Sequence, residues 1–335
     1  MATRVVQLRH PQHGRRVARV DEPRLRLLAT HRSVYDAARA AIASGQRLES
    51  LIDRDATGES LDYDAIYASQ SDWRLLPPFD HPIESSRCFI TGTGLTHKAS
   101  VESRVSMHVK GNAADEPDSM KMYRIGLEGG RPAPGSAGAA PEWFYKGIGT
   151  ILRAHGEPLD VPPHGDDGGD EAEIAGCYVV GDDGRAYRVG LVQGNEFSDH
   201  VLEAKNYLYL AQSKLRSCAI GPELIVNADF TEVLGEASLQ RAGSVVWKGP
   251  QASGEKWMCH TLANLEHHHF KHAEHRRPGD VHVHFFGADL FSFKDRVRLE
   301  DGDEMIIAFQ NFGRPLRNPL RIAGERQPFV EVRPL

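Results

Sequence analysis

The stretch Asp170-Glu171-Ala172-Glu173-Ile174-Ala175-Gly176-Cys177-Tyr178-Val179-Val180 decides how this chain is read. An acidic pair at i, i+2 leads straight into an apolar run, which predicts a strand over 173–180. In an extended strand Glu171 and Glu173 point to the same face. Like charges side by side are unfavourable on a sheet. A hard divalent cation between them removes the conflict, because Mg2+ prefers carboxylate oxygens. The competing reading is a solvated loop end, since Asp166 and Asp167 lie just upstream.

Working outward, Gly190-Leu191-Val192-Gln193-Gly194-Asn195-Glu196 reads as a strand over 186–192 running into a Gly-Asn turn that presents Glu196. A helical segment over 201–208 follows. Then comes Asn206-Tyr207-Leu208-Tyr209-Leu210-Ala211-Gln212-Ser213-Lys214, with Lys214 in a mostly apolar context. A lysine beside a metal or in an apolar pocket has its neutral form favoured and can serve as a base. Against that stands an ordinary surface lysine. Further strands are expected over 4–8, 87–91, 224–227, 281–286 and 304–310, and helices over 34–44 and 263–272. The tracts 132–141 and 159–169 read as loops. Many short strands with few helices predict an α+β, β-rich roll or sandwich. Residues 1–85 form a smaller N-terminal α+β domain in this reading, and 86–335 a catalytic domain.

Composition narrows the function. The 335 residues are 40% hydrophobic and 26% charged, as in an ordinary globular protein. A net charge of -6 gives no electrostatic reason to propose nucleic acid or an anionic membrane as partner. An anionic substrate would then need a local cation. No stretch is long and apolar enough to span a bilayer, and the start has no apolar signal core. Cys88, Cys177, Cys218 and Cys259 are far apart with no CxxC. Cys177 and Cys218 sit in apolar or small-residue runs and read as reduced core thiols, which fits a cytoplasmic protein.

Taken in order, these pieces resemble the catalytic domain of the fumarylacetoacetate hydrolase superfamily. The resemblance rests on the acidic pair on a strand, the Gly-Asn-acid turn, Gln212-Ser213-Lys214 and Gly221-Pro222. It also rests on the late Pro278-Gly279-Asp280 and Asp301-Gly302-Asp303 turns. It covers roughly residues 86–320 and implies a mixed β-roll holding Mg2+ or Mn2+ on three carboxylates. Glu171 and Glu173 match the family's E-x-E pair. Glu196 falls where the family usually has Asp, and the Arg of that motif is replaced in the region of Asp199 and His200. Pro141-Glu142-Trp143-Phe144-Tyr145-Lys146 resembles the family's site-lining strand. With Asn-x-Leu-Tyr-Leu-x-Gln-x-Lys it looks closest to the 2-keto-3-deoxy-D-arabinonate dehydratase branch. The resemblance then implies Glu142 and Lys214 as the acid/base pair, and Lys146, His97, Gly94 and Asn195 as substrate contacts. It also implies a homodimer.

The implied reaction is loss of water from a small 2-keto acid, 2-keto-3-deoxypentonate, to give 2,5-dioxopentanoate. Lys214 would take a C3 proton and Glu142 would protonate the leaving C4 hydroxyl. One alternative is hydrolysis of the C–C bond of a 2,4-diketo acid. Another, of a different class, is a non-catalytic sugar-acid binding protein. The histidines from His267 to His275, with His282 and His284, admit a zinc site, but they lack the H-E-x-x-H order and read better as core or surface groups. The Phe285-Phe286-Gly287-Ala288-Asp289 stretch stands where the family often has Thr-Gly-Thr, and Thr91-Gly92-Thr93-Gly94 lacks phosphate-loop spacing.

Overall fold

The computed structural model describes residues 2–100, 102, 117–325 and 328–335. Its centre is the strand Ala172–Val180, buried along its whole length. That burial follows from the sequence, because an unbroken apolar run can be satisfied only between two packed layers. The strand pairs antiparallel with Ala186–Asn195 on one side and Val281–Phe285 on the other. Beyond Val281–Phe285 the sheet continues through Cys88–Gly92, in parallel, and Phe144–Ile148. In the other direction it runs through Leu224–Val226 to Thr3–His10, Gly14–Asp21, Arg24–Leu27 and Ser60–Asp62. The N-terminal strands are therefore hydrogen-bonded into the same sheet as the central ones, through Thr3 opposite Val226.

The two faces of the central strand feed two cores. Ala175, Cys177 and Val179 pack with Val192, Val281, Val283 and Phe285 beneath the helix Val34–Ser44. Ser33 caps that helix and Gly45 ends it in a left-handed conformation. Ala172, Ile174 and Tyr178 face the second sheet, ordered Ser244–Ser253, Val233–Arg241, Glu304–Phe309, Leu316–Ile322 and Leu159–Val161. The expected strands and helices are present within a few residues of their predicted ends, the segment expected over 201–208 as the helix His200–Lys205 and a 3-10 turn Tyr207–Tyr209. One difference lies at 159–169. Leu159–Val161 pairs with Leu316–Ile322 as an edge strand before Pro162 and Pro163 end it, so the loop begins later. All four cysteines are buried and unpaired. Among the described residues no helix is long and apolar enough to cross a membrane.

Within the histidine-rich region His269, His282 and His284 form a buried network, while His267 and His272 are exposed. His269 lies on the helix Leu262–Phe270, over His282 and His284 on their strand. Trp143 Nε1 donates to His269 Nδ1 (3.2 Å), which leaves His269 Nε2 to donate to His282 Nδ1 at 3.0 Å. His284 Nδ1 meets the Thr91 hydroxyl at 2.7 Å. Among the described residues these rings do not form a group that could hold a metal; only Glu171, Glu173 and Glu196 do.

Burial, reinforced by His275, pushes His282 down to about 3, and burial with His282 and His275 does the same to His284. Both rings are neutral in the fold, while an unfolded histidine titrates near 6.5. Between about pH 6.5 and 3 the unfolded chain binds more protons, so stability is lost as pH falls through that window. The melting temperature should fall from pH 7 to pH 4.5. His284→Leu should flatten the slope by up to about 1.4 kcal/mol per pH unit, the worth of one proton. An unchanged slope in urea titrations of the variant would contradict this.

Candidate metal centre and active site

The strand register explains why three carboxylates meet. Ala172 lies opposite Asn195 and Glu173 opposite Gly194. One step further along the same ladder, Glu171 faces Glu196, and the Glu196 N–H donates to the Glu171 carbonyl at 2.9 Å. Residues directly opposite, and residues two apart, share a face of a sheet. Glu171, Glu173 and Glu196 thus point to one side, each offering an oxygen within 4.8 Å of the others. On the other flank Ala175 faces Phe285, so continuing the strand sets Gly287 beside Glu173. The Gly287 N–H donates to Glu173 Oε2 at 2.7 Å. Gly287 has φ +101°, and a Cβ there would lie 2.0 Å from Thr96 Oγ1, so only glycine fits.

Two lysines enter this acidic face, both fully buried. Lys214 Nζ donates to Glu171 Oε1 (2.6 Å), Glu196 Oε2 (2.7 Å) and Ser198 Oγ (2.9 Å), and lies 4.8 Å from the centre of the Phe144 ring. Lys146 Nζ donates to the Phe197 carbonyl (2.9 Å) and the Lys214 carbonyl (3.0 Å), and it ion-pairs with the other oxygen of Glu196. Lys146 and Phe144 sit two apart on the strand Phe144–Ile148, which explains why both reach the same side. Glu142, two residues before Phe144, is buried and accepts a hydrogen bond from the Tyr207 hydroxyl.

The remaining predicted contacts are placed differently. Asn195, opposite Ala172, shares the face away from the carboxylates. Its Oδ1 accepts from the Glu171 N–H (3.1 Å) and its Nδ2 points at Met305 Sδ (3.4 Å). It ties the ladder together and does not join the acidic group. Gly94 is buried in the turn after Cys88–Gly92. In the same turn Thr96 donates to the Phe286 carbonyl at 2.7 Å, and this leaves its oxygen to accept from His97 Nδ1 at 2.9 Å. His97 Nε2 is then an unprotonated acceptor without a partner among the described residues. Burial pushes the His97 imidazole down to about 3, in keeping with that neutral form.

Sequence reasoning did not single out Tyr207, or give His200 a partner. His200 Nε2 contacts Glu171 Oε1 at 2.9 Å, and its ring packs on Phe291 and Phe293. Burial disfavours its charged form, but the hydrogen bond and charge of Glu171 raise its pKa overall. A Cβ on Gly169 would lie 2.3 Å from His200 Nδ1, so the glycine makes room for the ring. Only the Gly168-Gly169 pair in the sequence hinted at such close packing.

The electrostatics favour an ion. Burial, then the charges of Glu196 and Glu171, hold the Glu173 carboxyl well above the usual range. Burial also raises Glu196, against the opposing pull of Lys146 and Lys214. Three buried oxygen donors on one rigid face suit a hard cation such as Mg2+ or Mn2+.

No family model and no curated protein matches the sequence. Solved structures do, and the chain has the fumarylacetoacetate hydrolase-like fold. It is similar to fumarylacetoacetate hydrolase from the psychrophilic Exiguobacterium antarcticum, with a TM-score of 0.59 and 15% identity over 96% of this chain and 100% of that one. It is also similar to 2-keto-3-deoxy-D-arabinonate dehydratase complexed with magnesium and 2,5-dioxopentanoate. There the TM-score is 0.69 and the identity 18%, over 97% of this chain and 100% of that one. A third likeness is to 2-hydroxyhepta-2,4-diene-1,7-dioate isomerase from Mycobacterium marinum, with a TM-score of 0.57 and 17% identity over 97% and 100% of the two chains. These likenesses carry the fold, and the chemistry rests on the side chains above.

Calorimetry with Mn2+ should find one site per chain, abolished or weakened about 100-fold in Glu173→Gln, in line with the loss of a charged ligand. Because the Glu173 carboxyl is held high, protons compete with the ion for it. Affinity should therefore fall as pH is lowered. Equal affinity in the wild type and Glu173→Gln would contradict the assignment.

Proposed function

We propose that the protein is a divalent-metal-dependent dehydratase, a hydro-lyase that converts 2-keto-3-deoxypentonate to 2,5-dioxopentanoate. The observation that carries this is the placement of a buried amine, Lys214, directly on the three-carboxylate face, with a separate carboxyl group, Glu142, two residues from the Phe144 ring that flanks it. The likeness to a dehydratase structure with magnesium and 2,5-dioxopentanoate supports the same reading.

Glu171, Glu173 and Glu196 would hold Mg2+ or Mn2+, which supplies Lewis acidity to the C1 carboxylate and C2 keto oxygen of the substrate. With the charge of the carboxylates neutralised, the neutral amine of Lys214 is favoured. Lys214 Nζ then accepts a proton from C3, giving an enolate. Glu142 would protonate the C4 hydroxyl as the C3–C4 double bond forms and water leaves. Shifting a proton from C5 to C3 moves the unsaturation to C4–C5. The resulting enol then ketonises to the C5 aldehyde, so the net change is loss of one water. Ser198, already on Lys214 Nζ, keeps the amine aimed when the carboxylates turn to the ion.

The two roles separate in deuterium oxide. Wild-type protein with Mg2+ should exchange the C3 protons of 2-keto-3-deoxypentonate and release 2,5-dioxopentanoate. Glu142→Gln should keep the exchange but lose about 10²–10⁴-fold in dehydration, and Lys214→Ala should lose both by a similar factor. Exchange that persists in Lys214→Ala, with its fold intact by circular dichroism, would sink the assignment of the base.

A further inference from the structure

Two buried lysines grip the same carboxylate, and their other partners differ in kind. Lys214 Nζ takes Glu196 Oε2, Glu171 Oε1 and the Ser198 hydroxyl, all side-chain groups that an ion or a substrate can claim. Lys146 Nζ takes Glu196 Oε1 and two backbone carbonyls, those of Phe197 and Lys214. An ammonium has three N–H donors, and these contacts use all of them. A main-chain carbonyl cannot protonate or turn away without moving the chain that carries it. Lys146 therefore joins two pieces of backbone that are 17 positions apart (214 − 197) to one oxygen of Glu196.

We infer that Lys146 is a positioning residue and a fixed counter-charge for the acidic face, and that it makes no contact with substrate. It locks the turn that presents Glu196 to the chain segment that presents Lys214, so carboxylate and amine keep their spacing. Glu196 has a long, rotatable arm, and with a lysine on each oxygen its carboxylate has one orientation. The division of labour follows from the partners: Lys146 is anchored on two backbone carbonyls, while Lys214 Nζ contacts the side chains of Glu171, Glu196 and Ser198, which can turn during a reaction. In a buried group of three acids, removing a paired cation leaves an uncompensated charge and destabilises the site. This inference rests on the reading of Glu171, Glu173 and Glu196 as the ion site.

The test uses Lys146→Met, which keeps the bulk of the stem and removes charge and donors. Mn2+ affinity by calorimetry should weaken at least tenfold. The kcat of dehydration should fall at least tenfold while KM for 2-keto-3-deoxypentonate moves less than threefold. A variant that binds Mn2+ like the wild type and raises only KM would overturn the inference in favour of a substrate contact. Should Lys146→Met fail to fold, Lys146→Arg, which keeps the charge but misplaces the donors, takes its place with the same expectations. The clamp itself is read without metal, from a double-mutant cycle of Lys146→Met, or Lys146→Arg in its place, and Glu196→Gln on urea unfolding in EDTA. Non-additive losses support it, and additive losses overturn it. A wild type that binds no Mn2+ defeats the metal reading alone, and the cycle in EDTA still decides the role of Lys146.

Discussion

Three carboxylates and two ammonium groups share one buried face of a sheet, and much of the surrounding structure is arranged to make that tolerable. Isolated ions at such depth cost several kcal/mol each, so they persist only when paired and hydrogen-bonded. Here each of the three glutamates has a donor on it. Lys214 and His200 serve Glu171, Gly287 serves Glu173, and the two lysines divide Glu196 between them. The arrangement has the donor set to accept an ion.

The sheet register is what concentrates these charges. A slip of one residue between Ala172–Val180 and Ala186–Asn195 would turn Glu196 to the opposite face, away from Glu171 and Glu173. Burial on both faces forbids the slip. Ile174 is committed to one core and Ala175 to the other, so the chain cannot exchange the two sets of side chains. Gly194 and Gly287 lie on either side of Glu173, and a Cβ at either would collide with its neighbours, Phe285 and the Ala219 carbonyl at Gly194 and Thr96 at Gly287. The fold is therefore the means by which acids distant in sequence become neighbours.

Much of this was legible in the sequence, for identifiable reasons. The acidic pair ahead of an apolar run read as a strand with both glutamates on one side, against a solvated loop end, and Val34–Ser44 carried helical spacing. The hairpin Val233–Arg241 and Ser244–Ser253 escaped notice because its residues are interrupted by Gly, Glu, Gln and Lys, and much of its second strand is exposed. The helix Asp118–Gly129 buries only Ser119, Tyr123 and Gly126, which leaves little apolar periodicity to find. The structure brings Lys146 and Lys214 onto the acidic face; these two and Glu142 were read from a resemblance and, for Lys214, from its apolar context. What each lysine does could not be, because the difference lies in the carbonyls of Phe197 and Lys214, and backbone acceptors leave no mark on sequence. The hydrogen bond from Tyr207 to Glu142 likewise spans 65 positions and depends on the fold alone.

The central claim is that this acidic face serves dehydration of a keto sugar acid, and product analysis by NMR tests it most directly. Each enantiomer of 2-keto-3-deoxypentonate and, separately, a 2,4-diketo acid would be incubated with metal-loaded protein, with and without EDTA. The account predicts 2,5-dioxopentanoate from a pentonate, abolished by EDTA, and no cleavage of the diketo acid. Pyruvate and a second carboxylic acid from the diketo acid, with both pentonates untouched, would contradict it.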